Sequence, residues 1–248
     1  MTLKTYVAEL HVHTVLSPCA EVEMIPPLIV REAGARGINL IAITDHNACA
    51  NVAAVQQAAA EADLVVMPGL EVQTREEVHV LCLFDTLPQA LACEADVRAA
   101  LPPLENQAEY FGDQFVVDAS GDFVRRETQL LLTSAHFSID EICAMVERLG
   151  GITIPAHIDR KAFGLIGNLG LVPPDLPIAA LEVSRHLHPF EAPKQYPQLR
   201  GYPLVQGGDA HRLEEMLGAN VFRLEAPTVA EIGLALRQEA ERGLSYRV

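Results

Sequence analysis

The 248-residue sequence has no tryptophan and only 5% aromatic residues, so its interior must be built from Ala, Val, Leu and Ile rather than around large rings. Half of it is apolar, which is ample for a packed core. No apolar run approaches the ~18 residues that span a bilayer. The opening MTLKTYVAEL lacks the basic region and apolar core of a secretory signal. A membrane partner is therefore not expected, and a cytoplasmic protein is. The five cysteines (Cys19, Cys49, Cys82, Cys93 and Cys143) form an odd set with no C-x-x-C pair, which fits reduced thiols better than a disulfide framework. Positive charge is scarce: 18 Lys and Arg stand against 33 Asp and Glu, a formal charge of −15. Nonspecific affinity for a polyanion comes from cationic surface and counterion release, so no duplex nucleic-acid partner is expected. A small phosphorylated substrate held at one positively charged spot remains compatible, and bound cations would offset part of the acidity. Composition is silent on oligomeric state.

Strand and helix patterns alternate along the chain. Residues 5–12 read as a strand. PPLIVREAGARG reads as a helix opened by proline and closed by Gly37. INLIAITD is a continuous β-branched run, as in a strand buried on both faces. NVAAVQQAAAEA is helical by composition, DLVVMPGLEV is strand-like, and the hairpin-like EEVHVLCLF adds a fourth strand. Residues 86–135 break the rhythm with a helical piece, PPLENQAEYFGDQ, and a hairpin across VVDASGDFVRR that turns at Ser120-Gly121 or Gly121-Asp122. They are expected to form a lid-like insertion. The alternation then resumes with SIDEICAMVERLGG, ITIPAH, IAALEVS, YPLVQGGDAH, NVFRLE and TVAEIGLALRQEAERG. No Ser/Gly linker, repeat or low-complexity segment divides it. The pattern predicts an α/β fold, a parallel sheet of about seven strands with covering helices, in one barrel-like domain over residues 1–248.

Side chains suited to metals recur where strands end. His11 and His13 close the first strand, and positions i and i+2 of a strand point the same way, so their rings converge. Asp45 and His46 close the second and Glu71 the third; the fourth carries His79; His157, Asp209 and His211 follow later strands. In parallel α/β folds the site lies at the carboxyl ends of the strands. With nine histidines in 248 residues, this joint placement points to a metal site, although any one of them alone reads as a structural residue. Nitrogen and carboxylate donors without a thiolate cage suit Zn, Mn or Fe in an open catalytic centre. A carboxylate such as Glu71 can bridge two ions.

The ordered motifs ELHVHT, AITDHN, IPAHIDR and GGDAH, with PGLEV and EVHVLCLF between them, resemble those of the PHP family, the polymerase and histidinol phosphatase superfamily of metal-dependent phosphoesterases. The likeness runs from about residue 5 to residue 225, leaving out the insertion. It implies a distorted (β/α)7 barrel and two or three divalent ions (Zn, Mn or Fe), with Glu71, Asp209 and His211 as catalytic groups. His11, His13, Glu71 and Asp209 would hold the first ion; Glu71, His79 and His157 the second; His46 and His211 the third. The third lacks the loop histidine of the histidinol phosphatase pattern. Cys19 stands there instead and can complete the site as a thiolate, with Glu21 or Glu23 as substitutes. Glu9 and Asp45 are expected to orient imidazoles from behind. Arg160 and Arg185 are the candidates for gripping phosphate, because the guanidinium fork matches its oxygens. His186 and His188 in RHLHP suit the rim, and His136 sits beside a helix start for which Ser138 is the N-cap. The implied activity is hydrolysis of a small phosphorylated metabolite or nucleotide by a metal-bridging hydroxide. The alternatives are histidinol-phosphate phosphatase and a non-catalytic metal-binding regulatory module.

Overall fold

The first strand, β1 (Lys4–Val12), alternates exposed and buried residues at its start and is fully buried at its end. It pairs in parallel with β2 (Leu40–Ile43), which pairs in parallel with β3 (Val65–Gln73). Helices α1 (Pro26–Ala35) and α2 (Val52–Ala58) make the crossovers. Proline opens α1 where a helix has no use for the N–H, and Gly37, at φ +62°, closes it. A computed structural model describes residues 2–247 in this way.

The parallel order stops at the fourth strand. A tight turn in which Thr74 Oγ1 accepts the Val78 N–H reverses the chain, and β4 (His79–Leu83) runs antiparallel to β3. After α3 (Leu87–Ala100), α4 (Ala108–Phe111), the hairpin β5 (Phe115–Val117) to β6 (Phe123–Arg126) and α5 (Ile139–Arg148), β7 (Ile152–Pro155) pairs antiparallel to β4. The sheet is therefore mixed, not parallel. Reversal also brings the first residue of β4, His79, to the end where the other strands finish: it pairs with Gln73, the last residue of β3.

Beyond α6 (Leu165–Leu169), β8 (Leu181–Val183) and β9 (Leu204–Gln206) form a separate parallel pair, with α7 (Ala192–Gln195) between them. Loop hydrogen bonds close the ring. Ile158 N–H donates to the Glu182 carbonyl at 2.9 Å, His13 N–H to Ala210 at 3.0 Å, and Ala210 N–H to His11 at 3.0 Å. Strands β1, β2, β3, β4, β7, β8 and β9 thus surround one axis, a distorted seven-stranded α/β barrel. Strand β10 (Asn220–Leu224) joins the outer side of β1, α8 (Val229–Leu236) follows, and β11 (Gly243–Tyr246) forms the edge. No helix among the described residues is long and apolar enough to cross a membrane.

Period-2 burial separates two apolar layers. Leu40, Ala42, Met67, Leu81, Leu83 and Ile154 face inward, closed below by Val229, Ile232 and Leu236 of α8. Ile41, Ile43, Val66, Val80 and Cys82 face the outer helices. The segment 87–100 departs from expectation. It is a 14-residue helix with a Thr86–Gln89 capping box, whereas the helical piece read at 102–114 contributes only the four residues of α4. Apolar residues are spread around α3, so no 3.6-residue stripe marks it. The hairpin forms with Gly121 at φ +88°, and Ser138 caps α5 in a box with Glu141.

Candidate metal centre

The parity of the strands brings the donors to one mouth. Glu71 shares the inward face of β3 with Met67, and His79 that of β4 with Leu81. On β1, Tyr6, Ala8 and Leu10 face inward, and a register shift between Glu9 and Val12 then turns His11 and His13 to the same side. His157 and Asp209 take φ of +30° and +46°, left-handed conformations that re-aim side chains just past strands β7 and β9. Such strain costs on the order of 1–3 kcal/mol per residue and persists where surrounding structure enforces it.

Five imidazoles gather around the wholly buried Glu71 carboxylate. Its oxygens lie 2.9 Å from His46 Nδ1 and His79 Nδ1, 3.2 Å from His157 Nε2, 3.3 Å from His11 Nε2 and 3.4 Å from His13 Nε2. Asp209 Oδ1 stands 3.2 Å from both His11 Nε2 and His13 Nε2, which are themselves 3.1 Å apart. His211 Nδ1 is 3.3 Å from the same oxygen, and its Nε2 is 3.0 Å from Cys19 Sγ at the exposed rim. Despite this crowding, Glu71 Oε2, Asp209 Oδ1, His79 Nε2 and His157 Nδ1 are buried without hydrogen-bond partners. Each such orphan costs about 1–3 kcal/mol. Donors around one zinc-like ion at about 2.0–2.1 Å lie roughly 3.3 Å apart on tetrahedral edges. The spacings match, so the cluster suits cations rather than hydrogen bonds. Three groups could each hold an ion: His11, His13, Glu71 and Asp209; His46, Glu71 and His79; and His13, His46 and His211.

The electrostatics agree. Burial works against ionising Glu71, yet the charges of His79, His11 and His46 hold its carboxyl well below the usual range. Asp209 is held well below in the same way: burial opposes its ionisation, but His11 and His13 together prevail. Burial, aided by His211 and His46, pushes His13 well down, and burial with His46 and His157 brings His79 to about 4. Both rings thus keep free lone pairs. Burial raises the Cys19 thiol, but contacts with His211 and His46 prevail and bring it to about 6, close to thiolate at neutral pH.

The supporting residues differ from expectation. Asp45 accepts from Thr14 N–H, Thr14 Oγ1 and Ser17 Oγ at 2.7 Å, and Ser17 Oγ is 2.9 Å from His13 Nδ1, so Asp45 reaches an imidazole only through serine. Glu9 touches no imidazole. It takes the backbone N–H groups of Gly208, Leu217 and Gly218, and so holds the loop that carries Asp209 and His211. The carboxylate directly behind a ligand is one the motifs did not single out, Glu182 of β8. It is wholly buried, 3.0 Å from His11 Nδ1, and accepts the His157 N–H at 3.0 Å. A Cβ on Gly207 would overlap this carboxylate, which explains the first glycine of GGDAH. Arg160 lines the cleft and donates to Asp209. Arg185 is engaged elsewhere, with the Asp209 carbonyl at 3.0 Å and Glu215 at 2.8 Å, so it braces the loop instead of facing the cleft. His136 and His186 are exposed, and His188 packs with Phe190 and Tyr246.

Fold and site together define a distorted α/β barrel with a candidate metal centre at its mouth. The chain belongs to the PHP domain family, whose family model matches residues 9–163. No curated protein sequence matches it. Among solved structures it is similar to a lesion-specific endonuclease from Pyrococcus furiosus, with a TM-score of 0.67 and 19% identity over 97% of this chain. It is equally similar, at TM-score 0.67 and 18% identity over 98% of this chain, to endonuclease Q in complex with a 27-mer duplex bearing an abasic lesion at the active site. The chain spans 58% of the length of each of these endonuclease chains. A metal-dependent phosphoesterase assignment attaches to a third structure, from Bifidobacterium adolescentis, with TM-score 0.58 and 20% identity over 83% of this chain and 87% of that one. At such identities the likeness speaks for the fold. It also overturns the exclusion of duplex nucleic acid drawn from net charge, since a barrel of this shape is solved with a duplex at its active site. Net charge sums the whole surface, whereas a duplex is gripped locally.

Proposed function

We propose that the protein hydrolyses a phosphoester of a small metabolite or nucleotide in the cleft above Glu71. The observation that carries this reading is the buried Glu71 carboxylate within 3.4 Å of five imidazoles, a donor set able to share cations across one carboxylate. In this reading His11, His13, Glu71 and Asp209 hold one ion, Glu71 with His79 and His157 a second, and His46, His211 and Cys19 a third. Zn, Mn or Fe bound there would supply an activated water and neutralise phosphoryl oxygens. Arg160 binds a phosphoryl oxygen through the donors it does not spend on Asp209. Glu182 keeps Nε2 of His11 turned to the cleft by occupying Nδ1. A cavity of about 330 Å³ matches a phosphoryl group with a modest leaving group. The cysteines are all unpaired, which agrees with a reducing cytoplasm.

A second reading, cleavage of nucleic acid at a lesion, is favoured by the match to the endonuclease complex over 98% of this chain. One experiment separates the readings. The protein is loaded with Mn or Zn and assayed on 4-nitrophenyl phosphate, its bis-ester, and a duplex with one abasic site, beside His11→Ala and Asp209→Ala. Turnover of a small ester that both substitutions abolish, with loss of bound metal and retained folding, supports the first reading. Cleavage of the duplex alone supports the second, and no turnover of any substrate overturns both.

A further inference from the structure

We propose that Phe163 is a stacking platform that selects a flat, ring-bearing leaving group, aryl or nucleobase, over an aliphatic one. The inference rests on the phosphoesterase reading and deepens it. Phe163 is a bulky residue at φ +60°, a left-handed conformation in which glycine would be unstrained. The strain is held in place because its carbonyl accepts the N–H of His79 at 3.0 Å, which fastens this loop to the start of β4. Its ring lies parallel to the His79 imidazole, with centroids 4.5 Å apart and planes 14° apart. One face is thus covered, yet the residue remains 39% exposed and lines the cleft.

The cleft has two unlike walls. Arg160, Asp209, His211 and Cys19 are linked by successive contacts and form the charged one. Phe163 with His79 and, across Gln73, Leu132 from the insertion form the other. Asn47 ties Leu132 to this side by donating to the carbonyls of Leu131 and Thr133 at 2.8 Å. A phosphoryl group seated on the charged wall sends its ester substituent toward the ring. A planar substituent gains offset stacking there, and an aliphatic chain does not.

The test compares phenyl phosphate with propyl phosphate as substrates, and phenylphosphonate with propylphosphonate as non-hydrolysed ligands measured by calorimetry, all on metal-loaded protein. Wild type should bind the phenyl ligand more tightly, and the phenyl-to-propyl ratio should fall about 3- to 10-fold in Phe163→Ala and Phe163→Leu. Phe163→Trp should restore it. Melting temperature and metal content of each variant identify any that fail to fold, and Phe163→Leu preserves apolar bulk over His79. A ratio unchanged in folded Phe163→Leu overturns the platform, leaving Phe163 as a cover for His79. Selective phenylphosphonate binding without turnover of any ester instead overturns the hydrolase reading while upholding the platform.

Discussion

At the scale of single residues, the least visible contribution is that of Glu182. It lies in a three-residue strand, Leu181–Val183, between two wholly buried aliphatic residues, and this isolated acid in an apolar run was the available signal. The motifs drew attention to donors facing the ions, while Glu182 acts behind them on His11 and His157. Glu182→Gln should weaken metal binding by about 10- to 100-fold, the usual effect of removing a carboxylate behind a ligating imidazole. Competition against a chromogenic chelator checks it, and unchanged affinity would remove the assigned role. Gly207→Ala should reproduce the loss, because the added methyl displaces the same carboxylate. The two arginines looked alike in sequence. Arg160 reached the cleft and Arg185 did not, because Glu215 and the Asp209 carbonyl capture it.

At the scale of elements, strand periodicity made most of the barrel legible and EEVHVLCLF read as hairpin-like, but the sheet was still expected to be parallel. The antiparallel return of β4 follows from five residues between Gln73 and His79 whose turn chemistry carries no Gly or Pro signal. Helix α3 escaped for lack of an apolar stripe. The segment 86–135 is fastened by Glu127, which accepts from Arg98 at 2.7 and 3.0 Å and from Arg125 at 3.2 Å. Burial raises the Glu127 carboxyl, but these guanidiniums and the Gln129 N–H bring it to about 2, from 4.5 when unfolded. A carboxyl depressed on folding stabilises fully above its unfolded value, and that contribution disappears as pH falls toward 2. Glu127→Gln should therefore destabilise the protein by about 1–2 kcal/mol at pH 7. The difference from wild type should shrink steadily between pH 4.5 and 2. Urea titrations across this range measure it, and a difference that does not vary with pH would count against the assignment.

At the scale of the whole molecule, buried carboxylates and imidazoles with unmatched atoms make the barrel mouth unstable by itself, so cations should stabilise the fold as well as the reaction. An ion bound only by the folded chain at 100 times its Kd adds about 2.7 kcal/mol. For a chain of this size that raises Tm by roughly 5–10 °C. Thermal melts with Zn or Mn against a strong chelator test this, and identical melting temperatures would contradict a preformed centre. Net charge of −15 misled at this scale, because a sum over the surface says nothing of where the cations stand.

The amino-acid sequence by itself determined the strands, their buried faces and the chemical identity of the donors, because burial periodicity and side-chain type are local properties. Convergence of His11, His13, His46, Glu71, His79, His157, Asp209 and His211 on one mouth was decided by the tertiary structure. A register shift in β1 and left-handed turns at His157 and Asp209 re-aim side chains, and the reversed β4 brings His79 to the same end. Only the closed barrel, with hydrogen bonds between segments as far apart in sequence as Glu9 and Gly208, holds those placements together.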